Sequence, residues 1–369
     1  MFFRAMMSMA FMSIAACCCT PCVFAINLRP YLSYHPVDGL SIEVRGLYGF
    51  DYSRRIYHRL DTSQTKYRPA IISHAKNPKG GRIRFQTDSK QLHVPAEPVG
   101  PARPSETLSL VAAHGIDVYV NKRFFMTTIV EKDAEVNLPE PAQGRMNSID
   151  LYLPAQLEVG IDQIGLTPGS NIAPPVALGK TVLFYGTSVE WAAGGNRVAL
   201  TYPEIIARDL DLDFYNFAFP SNAWGEDEIT ETLAKIPCDL FVLSYTRNLS
   251  IEAIKYTGMQ RKRNLIVFVE KIKKYQPEAK VLILSNFFTL SELYDEKSAA
   301  VEDAKRLAAL GAYQALSGSY SGIYFFDGKK LPMHWRDDDS FVNEGHPDGL
   351  GHKQIANSLE PLVGQILGE

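Results

Sequence analysis

From about Ile26 to Pro175, apolar and polar residues alternate in short runs separated by turn formers. Gly81-Arg82-Ile83-Arg84-Phe85, Gly115-Ile116-Asp117-Val118-Tyr119-Val120 and Ser148-Ile149-Asp150-Leu151-Tyr152-Leu153 all have period two. That period predicts antiparallel strands with one buried face. No helix-length amphipathic run interrupts them, so a β-sandwich is expected, with the Pro-rich residues 95–104 as a loop between strands. Past Pro174-Pro175-Val176-Ala177-Leu178-Gly179 the pattern changes. Near-continuous apolar runs at residues 181–185, 213–219, 238–245, 280–285 and 322–326 alternate with segments whose apolar residues recur every three or four positions, and a last helix is expected over residues 351–367. Such strand–helix repeats predict a parallel sheet covered on both faces, a three-layer α/β/α domain. Loops that carry chemistry then gather at the carboxyl ends of its strands.

Composition adds bounds. A length of 369 residues points to two domains, and 46% hydrophobic with 21% charged residues is ordinary for globular chains. The net charge of −3, with Lys and Arg spread out, speaks against a nucleic-acid partner. Arg4 is the one charge before an apolar stretch running to Ala16, which reads as an export leader. Cleavage after Val23-Phe24-Ala25 gives a leader of residues 1–25; the alternative is Ile14-Ala15-Ala16-Cys17 as a lipobox with a lipid anchor at Cys17. Periplasmic, extracellular and outer-surface locations stay open. Four of the five cysteines lie in this leader, which leaves Cys238 unpaired and expected as a buried, inert thiol. The expected boundaries are therefore a β domain over residues 26–175 and an α/β domain over residues 179–369.

The chemistry-bearing residues fall at the predicted strand ends. The first strand runs into Tyr185-Gly186-Thr187-Ser188-Val189-Glu190, the second ends in Asn216-Phe217-Ala218-Phe219-Pro220-Ser221-Asn222, and the third in Tyr245-Thr246-Arg247-Asn248. Asn343-Glu344-Gly345-His346-Pro347-Asp348 precedes the last helix. A hydroxyl, an amide and an imidazole at one sheet edge are the parts that acyl transfer needs. Gly-x-Ser alone is weak, since a Ser at a turn more often caps a helix. It is also not the Gly-x-Ser-x-Gly elbow, because Glu190 stands at the second Gly.

Taken in order, these blocks resemble the SGNH/GDSL hydrolases, and more narrowly the GDSL-like lipase group with an N-terminal "GxDLY" β domain. Gly115-Ile116-Asp117-Val118-Tyr119 is close to the motif that names that domain, and Arg197, Tyr202 and Arg208 keep the group's spacing after Ser188. The resemblance spans nearly the whole mature chain. It implies a flavodoxin-like α/β/α hydrolase domain behind a β-sandwich, with Ser188 as nucleophile and His346 as general base. It also implies oxyanion donors at Asn248, Ser188 N–H and Ser221 N–H. Two positions depart from the pattern. Ser221 stands where the family has Gly; a backbone N–H survives the change, but the turn is less free, because Gly tolerates positive φ and Ser does not readily. Asn343 stands where the family has the Asp that fixes the imidazole tautomer. A Ser–His dyad held by a backbone carbonyl, substitution by Asp337, Asp338 or Asp339, and weak activity are the alternatives.

Beside the nucleophile, Trp191 is either core or a sugar platform, and Asn222 and Glu190 are candidate rim residues for substrate. His58, His74 and His93 lack partners at ligand spacing, so no metal site is assigned; the three adjacent aspartates read as a solvated loop. His352 is expected as a structural residue and Asp117 as a strand-end hydrogen-bonder. The resulting expectation is an exported serine esterase that removes acyl groups, acetate above all, from carbohydrate and needs no cofactor. The alternatives are an impaired glycan-binding or surface protein of the same fold, and a lipase or lysophospholipase. Sequence does not set the oligomeric state.

Overall fold

The computed structural model describes residues 28–64, 66–100, 107–250, 258–331 and 340–368. The leader with Cys17 and the aspartates 337–339 lie outside the described residues. The N-terminal half forms two main antiparallel sheets. One joins Ser33–Pro36, Gln163–Leu166, Gln91–His93 and Glu135–Asn137. The larger joins Ile172–Ala173, Arg82–Thr87, Asn147–Tyr152, Gly115–Val120 and Arg123–Ile129, with Glu43–Arg45 also on Arg82–Thr87. Ile83, Phe85, Val118, Ile149 and Leu151 of the larger sheet share one core with Leu92, Val136, Ile164 and Leu166 of the smaller. Two short helices, Pro69–Ala75 and Leu110–His114, were not foreseen from the period-two pattern.

In the C-terminal half, β1 (Thr181–Gly186), β2 (Asp213–Ala218), β3 (Leu240–Ser244), β4 (Lys280–Leu284) and β5 (Ile323–Phe326) form one parallel sheet in the order 2-1-3-4-5. This is the flavodoxin-like order, in which the strand direction of travel reverses beside β1 and leaves a crevice at its carboxyl end. Side chains alternate across β1. Leu183 and Tyr185 pack with helices α3 (Asp227–Leu233), α4 (Gly258–Tyr275) and α5 (Glu296–Ser317), whereas Val182 and Phe184 pack with α1 (Ser188–Trp191), α2 (Tyr202–Asp209) and α6 (Gly349–Leu367).

The halves are not strung apart. Leu60, Tyr67, Ile71 and Ala75 enter the first of these cores, and Tyr119, Tyr152 and Ala155 the second. The polar face of the larger N-terminal sheet is therefore covered as well. Arg82 and Arg84, which alternation places toward water, are 2% and 5% exposed. Arg82 bonds Asp213 at 3.1 Å and lies over the Phe214 ring, and Arg84 bonds Asp150 at 2.6 Å. Two more cations are sealed in the seam. Lys79 meets Glu204 at 2.9 Å, with both side chains no more than 1% exposed. Arg59 donates to the carbonyls of Asn77, His74, Asn216 and Ala218. Burial alone pulls the Arg59 pKa down to about 9. Asp117 of the Gly-Ile-Asp motif accepts from Ala199 N–H at 3.0 Å and from Arg197 at 3.1 Å, so it fastens one half to the other.

Candidate active site

The turn that carries Ser188 is built by a short-range device. After β1 ends at Gly186, Thr187 caps the four-residue helix Ser188–Trp191 in a capping box closed by Glu190. Glu190 is fully buried, its carboxylate accepting from Thr187 N–H at 2.6 Å and from the Tyr202 hydroxyl at 2.7 Å. The expectation of Glu190 at a substrate rim is thus overturned: it is internal and holds the turn. It also explains Gly186, because a Cβ there would lie 2.3 Å from the Glu190 carboxylate.

Ser188 is half-buried, and its Oγ lies 2.8 Å from His346 Nε2. On the other side of the ring, His346 Nδ1 lies 2.9 Å from Asn343 Oδ1. The backbone N–H groups of Gly345 and His346 each donate to that same oxygen at 3.0 Å. Those two donors fix the amide, since its NH₂ end cannot accept from them. The oxygen therefore faces the ring, Nδ1 carries the hydrogen, and Nε2 presents a lone pair to Ser188. Burial first, and then the Arg247 guanidinium, lower the His346 pKa to about 4. The imidazole is accordingly neutral over the whole physiological range.

Ser221 and Asn248, which the resemblance marked as donors, follow the ends of β2 and β3. Asn248 is buried and gives one side-chain hydrogen to Phe219 O at 3.2 Å; its second has no partner among the described residues. Ser221 has φ +54°, a left-handed turn that Gly adopts readily, held here by a residue with a Cβ. Trp224 Nε1 donates to Ser221 O at 2.8 Å and steadies that turn. Asn222 is tied inward to Arg68, at 3.1 Å from its own Oδ1. Trp191 is 3% exposed, under Arg59 and edge-on to His74, so it is a wall and not an open platform for a sugar. His352 is fully buried against Tyr202 in the first turn of α6, and burial lowers its pKa to about 3. Cys238 is half-buried just before β3, at the opposite end of that strand from Asn248, and burial raises its thiol pKa.

Local motifs did not mark the influence of Arg247 on His346 or, Trp191 apart, the pocket walls. A cavity of about 100 Å³ borders Ser188 and is lined by His74, Asn77, Thr107, Leu108, Gln156, Trp191, Ala193 and Pro220. Five of these come from the N-terminal half, where no spacing rule links them to a nucleophile. Among the described residues no group of three His, Cys, Asp or Glu side chains is placed to hold a metal ion.

The profile of the GDSL-like lipase/acylhydrolase family matches residues 179–364. The chain belongs to that family. Residues 32–172 match the GxDLY N-terminus of SGNH-hydrolase-type esterases, so both halves carry the family's arrangement, and the enzyme hydrolyses esters. Comparison with curated proteins gives no match. Among solved structures, a protein described as a GDSL-like lipase from Bacteroides ovatus ATCC 8483 superposes with a TM-score of 0.79 at 21% identity, covering 91% of this chain and 98% of its own. The salicylyl-acyltransferase of a tetracycline biosynthetic pathway gives 0.75 at 18%, covering 90% and 96%. An acetyl xylan esterase from the rumen bacterium Butyrivibrio proteoclasticus gives 0.59 at 13%, covering 91% and 99%. At these identities the likeness is one of fold.

Proposed function

We propose that this GDSL-family hydrolase removes short acyl groups, acetate foremost, from carbohydrate through an acyl-Ser188 intermediate, and that it works outside the cytoplasm. The observation that carries the catalytic part is the line Ser188 Oγ, His346, Asn343 Oδ1, with each step 2.9 Å or less. Ser188 Oγ attacks the ester carbonyl as its proton passes to His346 Nε2. The carbonyl oxygen gains charge and takes hydrogen bonds from Ser188 N–H, Ser221 N–H and the Asn248 amide. Imidazolium then returns the proton to the departing alcohol. Water repeats the sequence to release the acid and free Ser188. Asn343 stabilises the imidazolium through its amide dipole and fixes the tautomer.

The acyl size rests on the cavity beside Ser188, which is too small for a lipid chain. Carbohydrate as the alcohol is supported by the shared fold with an acetyl xylan esterase and by the companion β-sandwich. Export is supported by the Arg4-led apolar leader, with lipidation at Cys17 as its alternative ending. The test is turnover of aryl acetate and of acetylated xylo-oligosaccharide by the mature chain beside Ser188→Ala. We expect both esters to be cleaved and the variant to lose at least about 10³-fold in kcat. Equal rates in the two proteins would remove Ser188 from the mechanism. A wild type that is inert until Asn343→Asp is introduced would favour the impaired, glycan-binding reading.

A further inference from the structure

We propose that the N-terminal β half sets the acyl-chain preference, with Leu108 and Gln156 closing the acyl pocket; this rests on the esterase reading above. The assignment of the pocket to the acyl side follows from proton transfer. The leaving alcohol must depart within reach of the group that protonates it, His346 Nε2. His346 stands on one side of Ser188 Oγ at 2.8 Å and is not among the walls of the 100 Å³ cavity, which opens on Ser188 together with Pro220, the neighbour of the Ser221 donor. The alcohol thus lies toward His346 and the acyl group toward the cavity.

Its capacity and chemistry then define the group. At about 30 Å³ for a water molecule, the space holds about three non-hydrogen atoms, the size of an acetyl unit. Part of the wall is polar and anchored. Gln156 N–H donates to Ala113 O at 2.9 Å, and Gln156 Oε1 is buried without a hydrogen-bond partner among the described residues. Asn77, 7% exposed, fixes the adjoining wall through its carbonyl's bond to Arg59. A longer alkyl chain would have to press against these amides without satisfying them, which disfavours it against acetyl. Leu108, half-buried, is the apolar wall whose truncation adds room without opening a core.

The full mature chain should be assayed on p-nitrophenyl acetate, butyrate and hexanoate, as wild type, Leu108→Ala and Gln156→Ala, with melting temperatures to confirm folding. We expect kcat/KM to fall steeply from acetate to hexanoate in the wild type. In Leu108→Ala the hexanoate-to-acetate ratio should rise about tenfold or more, mostly through KM. Gln156→Ala should shift the ratio in the same direction and keeps the idea testable if the first variant is unstable. A flat chain-length profile in an active wild type, or ratios that do not move in folded variants, would overturn the pocket assignment alone. No turnover of any ester by the wild type would remove the esterase reading and this inference with it.

Discussion

At the residue scale, the decisive atom is Asn343 Oδ1. In the serine-protease template, replacing the aspartate by asparagine costs about four orders of magnitude because the amide NH₂ selects the wrong imidazole tautomer. Here two backbone N–H groups point the oxygen at the ring, so that penalty does not arise. What is lost is charge: a neutral amide stabilises imidazolium less than a carboxylate does. The sign of the pH dependence follows. His346 acts as a base only when unprotonated, and its pKa lies at about 4, below the ordinary value. The acid limb of kcat/KM for the wild type should therefore fall near pH 4. Asn343→Asp places a negative charge beside Nδ1, raises the pKa, and should move that limb upward by about one unit or more. A pH–rate profile of the two proteins on one neutral ester decides it; coincident acid limbs would mean that Asn343 does not govern the ring. Ser221 at φ +54° is the other residue that departs from pattern. It costs backbone strain yet keeps the N–H in the turn where a glycine would put it.

At the element scale, a four-residue helix cannot hold itself, since nucleation is unfavourable until several turns have formed. The nucleophile turn is stabilised instead by the buried Glu190, which ties Thr187 on one side and Tyr202 of α2 on the other. Glu190→Ala removes the capping box and leaves a buried tyrosine hydroxyl without its acceptor. We expect a loss of about 1–3 kcal/mol in unfolding free energy and a lower kcat, with Glu190→Gln restoring much of both. Chemical denaturation with parallel kinetics measures the pair. A variant with full stability and full kcat would refute the role.

At the scale of the whole molecule, the two halves share cores and sealed charges, so the β-sandwich is part of the enzyme's frame. Lys79, whose pKa burial lowers against the pull of Glu204, sits with that carboxylate out of reach of water. Lys79→Met strands Glu204 as an unpaired buried charge, and we expect about 3–5 kcal/mol of destabilisation in one cooperative transition of the full chain. Calorimetry checks this. Two separate transitions, with only the N-terminal one shifted, would show that the halves fold independently.

Much of this was legible along the chain because local physics wrote it there. Period-two runs marked the sandwich, apolar strands alternating with helical spacing marked the parallel sheet, and the ordered blocks placed Ser188, Ser221, Asn248 and His346 at its carboxyl edge. The same blocks marked Asn343 as the departure. Sequence could not show which way that amide points, because the orientation depends on two backbone hydrogens in a turn. It misplaced Glu190 and left Trp191 undecided, since burial is a property of what packs on a residue and not of its neighbours in sequence. It read Arg82 and Arg84 as a wet face, because alternation reports one covered side of a sheet and is silent on a second. The pocket walls Leu108 and Gln156, together with the seam cations Arg59 and Lys79, meet the hydrolase half only after chain separations of about 30 to 160 residues are closed. Those contacts, and with them the shape of the cavity beside Ser188, were decided by tertiary structure alone.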